Sequence, residues 1–415
     1  MGQLKIASIL ALLLFLLGLR FFFFYRIQPH YQDGQAVSFA TRLFSEPRVF
    51  GNYQLLTASL GSINNIIIRT DLYPKYHYQD ALRISGKINI KWLENNRRVI
   101  TIFYPKTELL ENKENPLLSV AGFVRQKVIE LFSQSLPFPG SGLLLGIVFG
   151  IKDMPKDFLD NLRTAGVMHV VAASGMNVTM VGGFFSGIFA FFLKRQLAVL
   201  ATILIIIFYA FLAGFDAAII RASIMGVLVF TAQILGRKSL AGYGLFLAAF
   251  VMIFINPSII FDVGFQLSFA ATFGLLYLRP MFEVNKKVKK FIKKSIIGED
   301  ISTTVAAQIA TLPIVLANFG YYSIWSVLAN GLVLWTVPFL MAIGGMGAVF
   351  GIMLAPLGRI ILYLSIPLLF YFEKLVEIFG QLEGMVRIDS LPWQFVVGYY
   401  CLFLAFIRLR RKPRL

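Results

Sequence analysis

The chain has 415 residues, 57% of them apolar or aromatic, with a mean hydropathy of +0.73. Charged residues make up 14%, against roughly 25% in an ordinary soluble domain, and phenylalanine alone fills 41 positions. No water-soluble globule hides that much apolar surface, and a single cysteine excludes a disulfide scaffold, so the composition is that of a polytopic membrane protein. The net charge of +18 then reads first as basic residues gathered in cytoplasmic loops and only second as affinity for nucleic acid.

Residues 1–26 hold an apolar run, 6–25, interrupted only by Arg20. It is too long for a signal-peptide core and lacks a small-residue cleavage site, which predicts an uncleaved transmembrane anchor. Residues 35–110 alternate instead. AVSFATRL, YQLLTASL, NNIIIRTD, ALRISGKINI and RRVITIFYP, separated by Asn, Gly, Pro and Asp, predict five strands of a small β domain. A partly open OB-like barrel fits that length, and TELLENKENP reads as a polar linker. Residues 119–151 are expected to be interfacial or re-entrant. The first part, 119–136, reads as an amphipathic helix with Arg125, Lys127 and Glu130 on its polar side. LLLGIVFGI (143–151) is too short to cross a bilayer and is either re-entrant or tucked against neighbours.

Residues 152–407 form the helical membrane domain, with spans expected near 167–193, 197–215, 219–235, 240–255, 259–278, 301–317, 325–355, 361–379 and 394–407. The 325–355 run carries Pro338 and Gly344-Gly345 and is one broken helix or two short ones. Basic connections at Lys194-Arg195, Arg237-Lys238 and 286–294 alternate with the nearly uncharged GFDAA, INPS and NFGYY. Positive-inside bias therefore puts the basic set, both termini and the basic tail 408–415 in the cytoplasm, and the β domain outside a bacterial plasma membrane.

Four segments carry a resemblance: LLLGIVFGIKDMPKDFLDNLRTAGVMHVVAASGMNVTMVGG, FYAFLAGFDAAIIRASIMG, NPSIIFDVGFQLSFAATFGLLYL and AAQIATLPIVLANFGYYSIWSVLANGLVLWTVP. In this order and spacing they resemble the competence region of the ComEC family, inner-membrane channels for DNA uptake. The resemblance covers roughly residues 140 to 380, and the preceding β domain matches the family's extracellular OB-like module. It implies a channel passing single-stranded DNA during transformation. Two departures stand out. The family's serine-glycine-x-histidine is Ser174-Gly175-Met176-Asn177 here, so any role of that imidazole is lost or passes to an amide. Larger members end in a metallo-β-lactamase-like domain with an H-x-H-x-D-H motif. This chain ends at Leu415 with only His30, His77 and His169, so a short form without that nuclease, metal or other cofactor is expected.

On the topology above, a polar set gathers in the outer half of the membrane: His169, Ser174, Asn177, Asp216, Arg221, Asp262, Gln266 and Asn330, with Gln308 nearer the midplane. These residues are the expected substrate path, a funnel in which Asp262 partners Arg221 at rest. Six of them have a structural alternative. Asp216 reads equally as a helix cap, Arg221 with Asp262 as an ion pair between helices, Ser174 with its neighbouring glycines as close packing, and Gln266 and Gln308 as interhelical hydrogen bonds. In the β domain Arg42, Arg69 and Arg83 are the expected DNA-capture cations. They stand with Arg48, Lys75 and Lys87 among Phe39, Phe44, Tyr53, Tyr73, Tyr76 and Tyr78, aromatics that in strands also commonly face a core.

No G-x-x-x-x-G-K-[ST] loop is present, so a cytoplasmic ATP-driven DNA translocase and a separate nuclease are the expected partners, beside membrane lipids. The lysine run 286–294 reads as an anchor on anionic lipid or a dock for that motor. An intramembrane protease fits poorly. His169 and Ser174 stand roughly 140° apart on one helix, and Asp216 and Asp262 lie near helix ends. No enzymatic activity is expected, and a transporter of a small solute or lipid-linked substrate is the alternative to a DNA channel.

Overall fold

A computed structural model describes residues 2–27, 31–43, 47–60, 63–77, 80–92, 98–110, 116–151, 154–171, 174–214, 216–235, 241–282, 296–388 and 391–410. His30, Phe44, Tyr78, the Arg237-Lys238 connection, the 286–294 run and the end of the basic tail lie outside them. The chain divides into two compact units, residues 1–123 with 249–261 and residues 124–248 with 262–415.

The first unit opens with helix α1 (Gly2–Ile27), followed by strands β1 (Ala36–Arg42), β2 (Arg48–Phe50), β3 (Tyr53–Leu60), β4 (Ile63–Asp71), β5 (Ala81–Trp92), β6 (Arg98–Phe103) and β7 (Lys106–Leu109). The alternating text becomes alternating burial. In β3 every second residue, Gln54 through Leu60, faces inward, so Leu56 meets Ile66, Ile68, Leu82, Ile84 and Ile102 in one core. The sheet order is β1-β5-β6-β4-β3-β2 with β7 on β5. All pairs are antiparallel except β4–β6. The backbone N–H of Ser59 in β3 donates to Thr41 Oγ1 in β1 at 3.4 Å.

Two strands exceed the five expected. β7 begins just before the supposed linker because the twelve-residue β5 pairs with β1 through Ala81–Lys87 and with β6 through Ile88–Trp92. That leaves one edge of Leu82–Ser85 open, and β7 closes it. Tyr76 belongs to the core, its hydroxyl 2.7 Å from Thr107 Oγ1.

The second unit is helical. Helices α2 (Pro116–Ser135, its start in the first unit), α3 (Gly140–Phe149), α4 (Lys156–Thr164), α5 (Met168–Val171), α6 (Gly175–Phe192), α7 (Arg195–Ala213) and α8 (Ala217–Ile234) come first. They are followed by α9 (Ala241–Ile255, ending in the first unit), α10 (Val263–Tyr277), α11 (Arg279–Phe282) and α12 (Ile296–Phe319). Strand β8 (Tyr321–Ser323), helices α13 (Ser326–Val333), α14 (Thr336–Met353), α15 (Ala355–Tyr363) and α16 (Ile366–Gln381), strand β9 (Met385–Arg387) and helix α17 (Trp393–Arg410) complete it. Among the described residues five helices are long and apolar enough to cross a membrane, and a sixth span results if α15 and α16, bent by 49°, count as one.

Several expectations change. The 325–355 run, expected as one broken helix or two short ones, is two helices, α13 and α14, whereas the 167–193 run, expected as one span, is broken between α5 and α6. The 143–151 segment packs against its neighbours, as one of its two expected readings has it: all ten residues of α3 are buried. Arg125 is not on a wet face. It is buried, and Nη1 donates to Leu212 O at 2.5 Å, satisfying a last-turn carbonyl of α7. Lys127 and Glu130 are exposed as expected.

Close approach and lone carbonyls organise the packing. A Cβ on Gly358 would fall 2.4 Å from Gly351 Cα, so only glycine lets α14 and α15 touch there. Pro313, inside α12, has no N–H and so cannot bond the Ile309 carbonyl one turn back. Tyr399 of α17 supplies that bond at 2.7 Å, and the Tyr400 hydroxyl takes the adjacent Ala310 carbonyl at 2.7 Å. In a region without water a lone carbonyl needs such a donor.

Candidate functional site

The ends of α3 define the centre of the second unit. At its C-terminus the Ile147 carbonyl accepts from Asn177 Nδ2 at 2.7 Å, and the Val148 carbonyl accepts from the Tyr209 hydroxyl at 2.6 Å. Asn177 is 2% exposed, and its Oδ1 accepts from Ser174 Oγ at 2.9 Å. The Asn177 amide therefore stitches α6 to α3. At the other end of α3, a Cβ on Gly140 would lie 2.8 Å from Glu373 Oε1 of α16, so a carboxylate faces the positive end of the helix.

Arg221 stands beside Gly175. Its Nε donates to Ser268 Oγ of α10 at 2.8 Å, Nη1 lies 3.7 Å from Met225 Sδ, and the guanidinium sits 5.9 Å from the Phe269 ring centroid. A Cβ at Gly175 would fall 2.8 Å from Nη2, so glycine is what admits the guanidinium to the first turn of α6. Arg221 is 9% exposed. The expected pair with Asp262 is not present: no carboxylate lies within salt-bridge distance of Arg221 among the described residues. Asp262 instead caps α10, its Oδ1 accepting from Phe265 N at 2.8 Å. Arg221 meets α10 at Ser268, six residues beyond Asp262 and so about 9 Å further along the helix.

A second polar cluster joins α12, β8 and α13. Gln308 Nε2 donates to Ser326 Oγ at 2.5 Å, and Gln308 Oε1 accepts from the Tyr322 hydroxyl at 2.8 Å. Gly166, at φ +74°, presses on Ser326 and Ser323, and His169 is hydrogen-bonded to the Gly166 backbone while keeping exposed surface. Asn330, one turn beyond Ser326, is 1% exposed, and its Oδ1 has no donor among the described residues. Burial pushes the neighbouring Tyr321 phenol above its ordinary range, against the opposing effect of Arg163.

Asp216 and Gln266 are the remaining path residues. Asp216 is the N-cap residue of α8, where its backbone carbonyl accepts from Ile219 and Ile220 and its side chain makes no capping bond. Gln266 is half-buried one turn into α10. Reading the sequence missed Tyr209, Ser268 and Glu373. Ser268 was legible as the residue two beyond Gln266, whereas Tyr209 and Glu373 matter only through α3, whose central position no local pattern announces.

In the β domain, Arg42 and Arg83 lie on the neighbouring strands β1 and β5, while Arg69 lies on β4 with β6 between β4 and β5. Arg83 Nη1 is 3.8 Å from Glu108 Oε2. Arg69 sits between two rings, 3.8 Å from the Tyr53 centroid and 5.4 Å from that of Tyr104. Tyr104 adopts φ +45° and exposes half its surface, with Phe103 exposed beside it. Arg48's side chain lies outside the described residues.

A family model described as Competence protein matches residues 147–413. ComE operon protein 3 of Bacillus subtilis (strain 168) is 28% identical over 249 residues, which cover 60% of this chain and 30% of that protein. The chain thus spans under a third of that relative's length. No solved structure matches.

Proposed function

Because the chain belongs to the competence protein family, we propose that it forms the membrane path through which single-stranded DNA enters the cell during natural transformation. The observation that carries this reading is the family match itself, which spans 147–413 and so includes both polar clusters and every residue of the expected path. The strand order, with one parallel pair between β4 and β6, supports the OB-like reading of the β domain. Arg69 between Tyr53 and Tyr104, beside exposed Phe103, supports base stacking there, with Arg42 and Arg83 adding charge on the adjoining strands. A cytoplasmic ATP-driven translocase and a separate nuclease complete the scheme.

The decisive test is deletion of the gene followed by transformation with labelled DNA. Loss of nuclease-protected label is the expected result, and undiminished uptake overturns the reading. Topology is tested separately in a Cys401→Ser background. A cysteine at Lys75 should react with an impermeant reagent from outside and one at Lys194 should not. The reverse pattern places the β domain inside and removes its capture role.

A further inference from the structure

Four described arginines among the apolar helices fall into two kinds. Arg20 donates from Nε to Phe254 O at 3.0 Å and from Nη2 to Ile255 O at 3.3 Å, at the end of α9. Arg125 donates to Leu212 O at the end of α7, and Arg195 Nη2 to Gln233 O at 3.2 Å, at the end of α8. Each of these guanidinium groups meets the negative end of a helix, where cations belong. Arg221 does the opposite. Its Nη2 is aimed at the first turn of α6, the positive end of an 18-residue helix, with no carboxylate near it among the described residues. The N-cap residue Ser174 makes no capping bond, and its hydroxyl donates to Asn177 Oδ1. A nine-tenths buried cation and an uncapped helix N-terminus thus share one corner, and both call for negative charge.

We propose that Arg221, Ser268 and the first turn of α6 form an oxyanion site that takes one phosphate group at a time from the passing strand. The inference rests on the DNA-path reading and adds the place where the backbone is gripped. The guanidinium offers its outer nitrogens, Ser268 fixes Nε so that the fork keeps one orientation, and the N–H groups of Gly175 and Met176 are placed as further donors. A single cation without a fixed counter-charge grips weakly enough to release, which conduction requires.

The test uses the purified full chain in nanodiscs, with inorganic phosphate as probe and chloride at matched ionic strength as control. Phosphate should raise the thermal midpoint of the wild type and leave that of Arg221→Gln unchanged. Gly175→Ala keeps the charge but drives a methyl into Nη2, and should need about tenfold more phosphate for the same shift, the loss of roughly one charge-assisted hydrogen bond. No shift in the wild type, or equal shifts in all three proteins, overturns the site. Competition separates the sources. Displacement of phosphate by oligothymidylate assigns the site to the strand. Displacement by glycerol phosphate but not by oligothymidylate assigns it to lipid headgroups and takes it off the DNA path, leaving the channel reading to the deletion assay.

Discussion

Two kinds of helix end in the same unit use arginine in opposite ways. Where α7 and α8 finish, Arg125 and Arg195 neutralise last-turn carbonyls that lipid cannot hydrate. Where α6 begins, Arg221 adds positive charge to an end that is already positive. The first arrangement is complete by itself, and removing it leaves an orphaned acceptor. The second is electrostatically incomplete, and removing it takes away a binding capacity together with one hydrogen bond to Ser268. Residue type is the same in the two cases, so the polarity of the helix end separates scaffold from site.

Arg221→Gln breaks the comparison most sharply. DNA passage, read as nuclease-protected label, should fall about ten- to a hundredfold, the weight of one charge-assisted contact, while the protein still inserts and melts near the wild-type midpoint. Arg125→Gln should do the reverse: a stability loss of about 1.5–3 kcal/mol in reversible unfolding, because a charged donor to Leu212 O is lost, and transport reduced only in proportion to folded protein. Asn177→Ala should cost about 1–3 kcal/mol by stranding the Ile147 carbonyl. Asn177→His should cost less because an imidazole N–H can replace the amide donor. Equal losses for Ala and His would mean that the amide is not serving that carbonyl. The smallest effect belongs to Tyr399→Phe, about 0.6 kcal/mol, the average for hydrogen bonds between membrane helices. In a Pro313→Ala background that loss should shrink, since Leu, Ala or any residue with an N–H at 313 can bond Ile309 within the helix.

The two units also differ in how much could be read in advance. In the β domain each strand carries its own period-two signal, so five of the seven strands were legible; β2 and β7 were missed because a three- or four-residue edge strand is defined by the neighbour it completes. In the helical unit, apolar runs marked most helices but not their breaks. The 325–355 run holds no charge to signal the turn between Val333 and Thr336. Asp262 was legible as important and misread in role, since a cap and an ion pair use the same carboxylate.

Composition alone settled the membrane class, alternation settled most of the sheet, and four ordered segments pointed to the family now matched over 147–413. All of these are local signals: they depend on which face of a short segment is apolar, or on a motif read within one stretch. Tertiary structure decided which side chain serves which helix end. Asn177 reaches back 30 residues to Ile147, Arg125 forward 87 to Leu212, and Arg20 234 to Phe254. Periodicity carries no information about partners at such distances. They are selected because each buried backbone group must find a donor or acceptor once the helices have packed, and that requirement exists only in three dimensions.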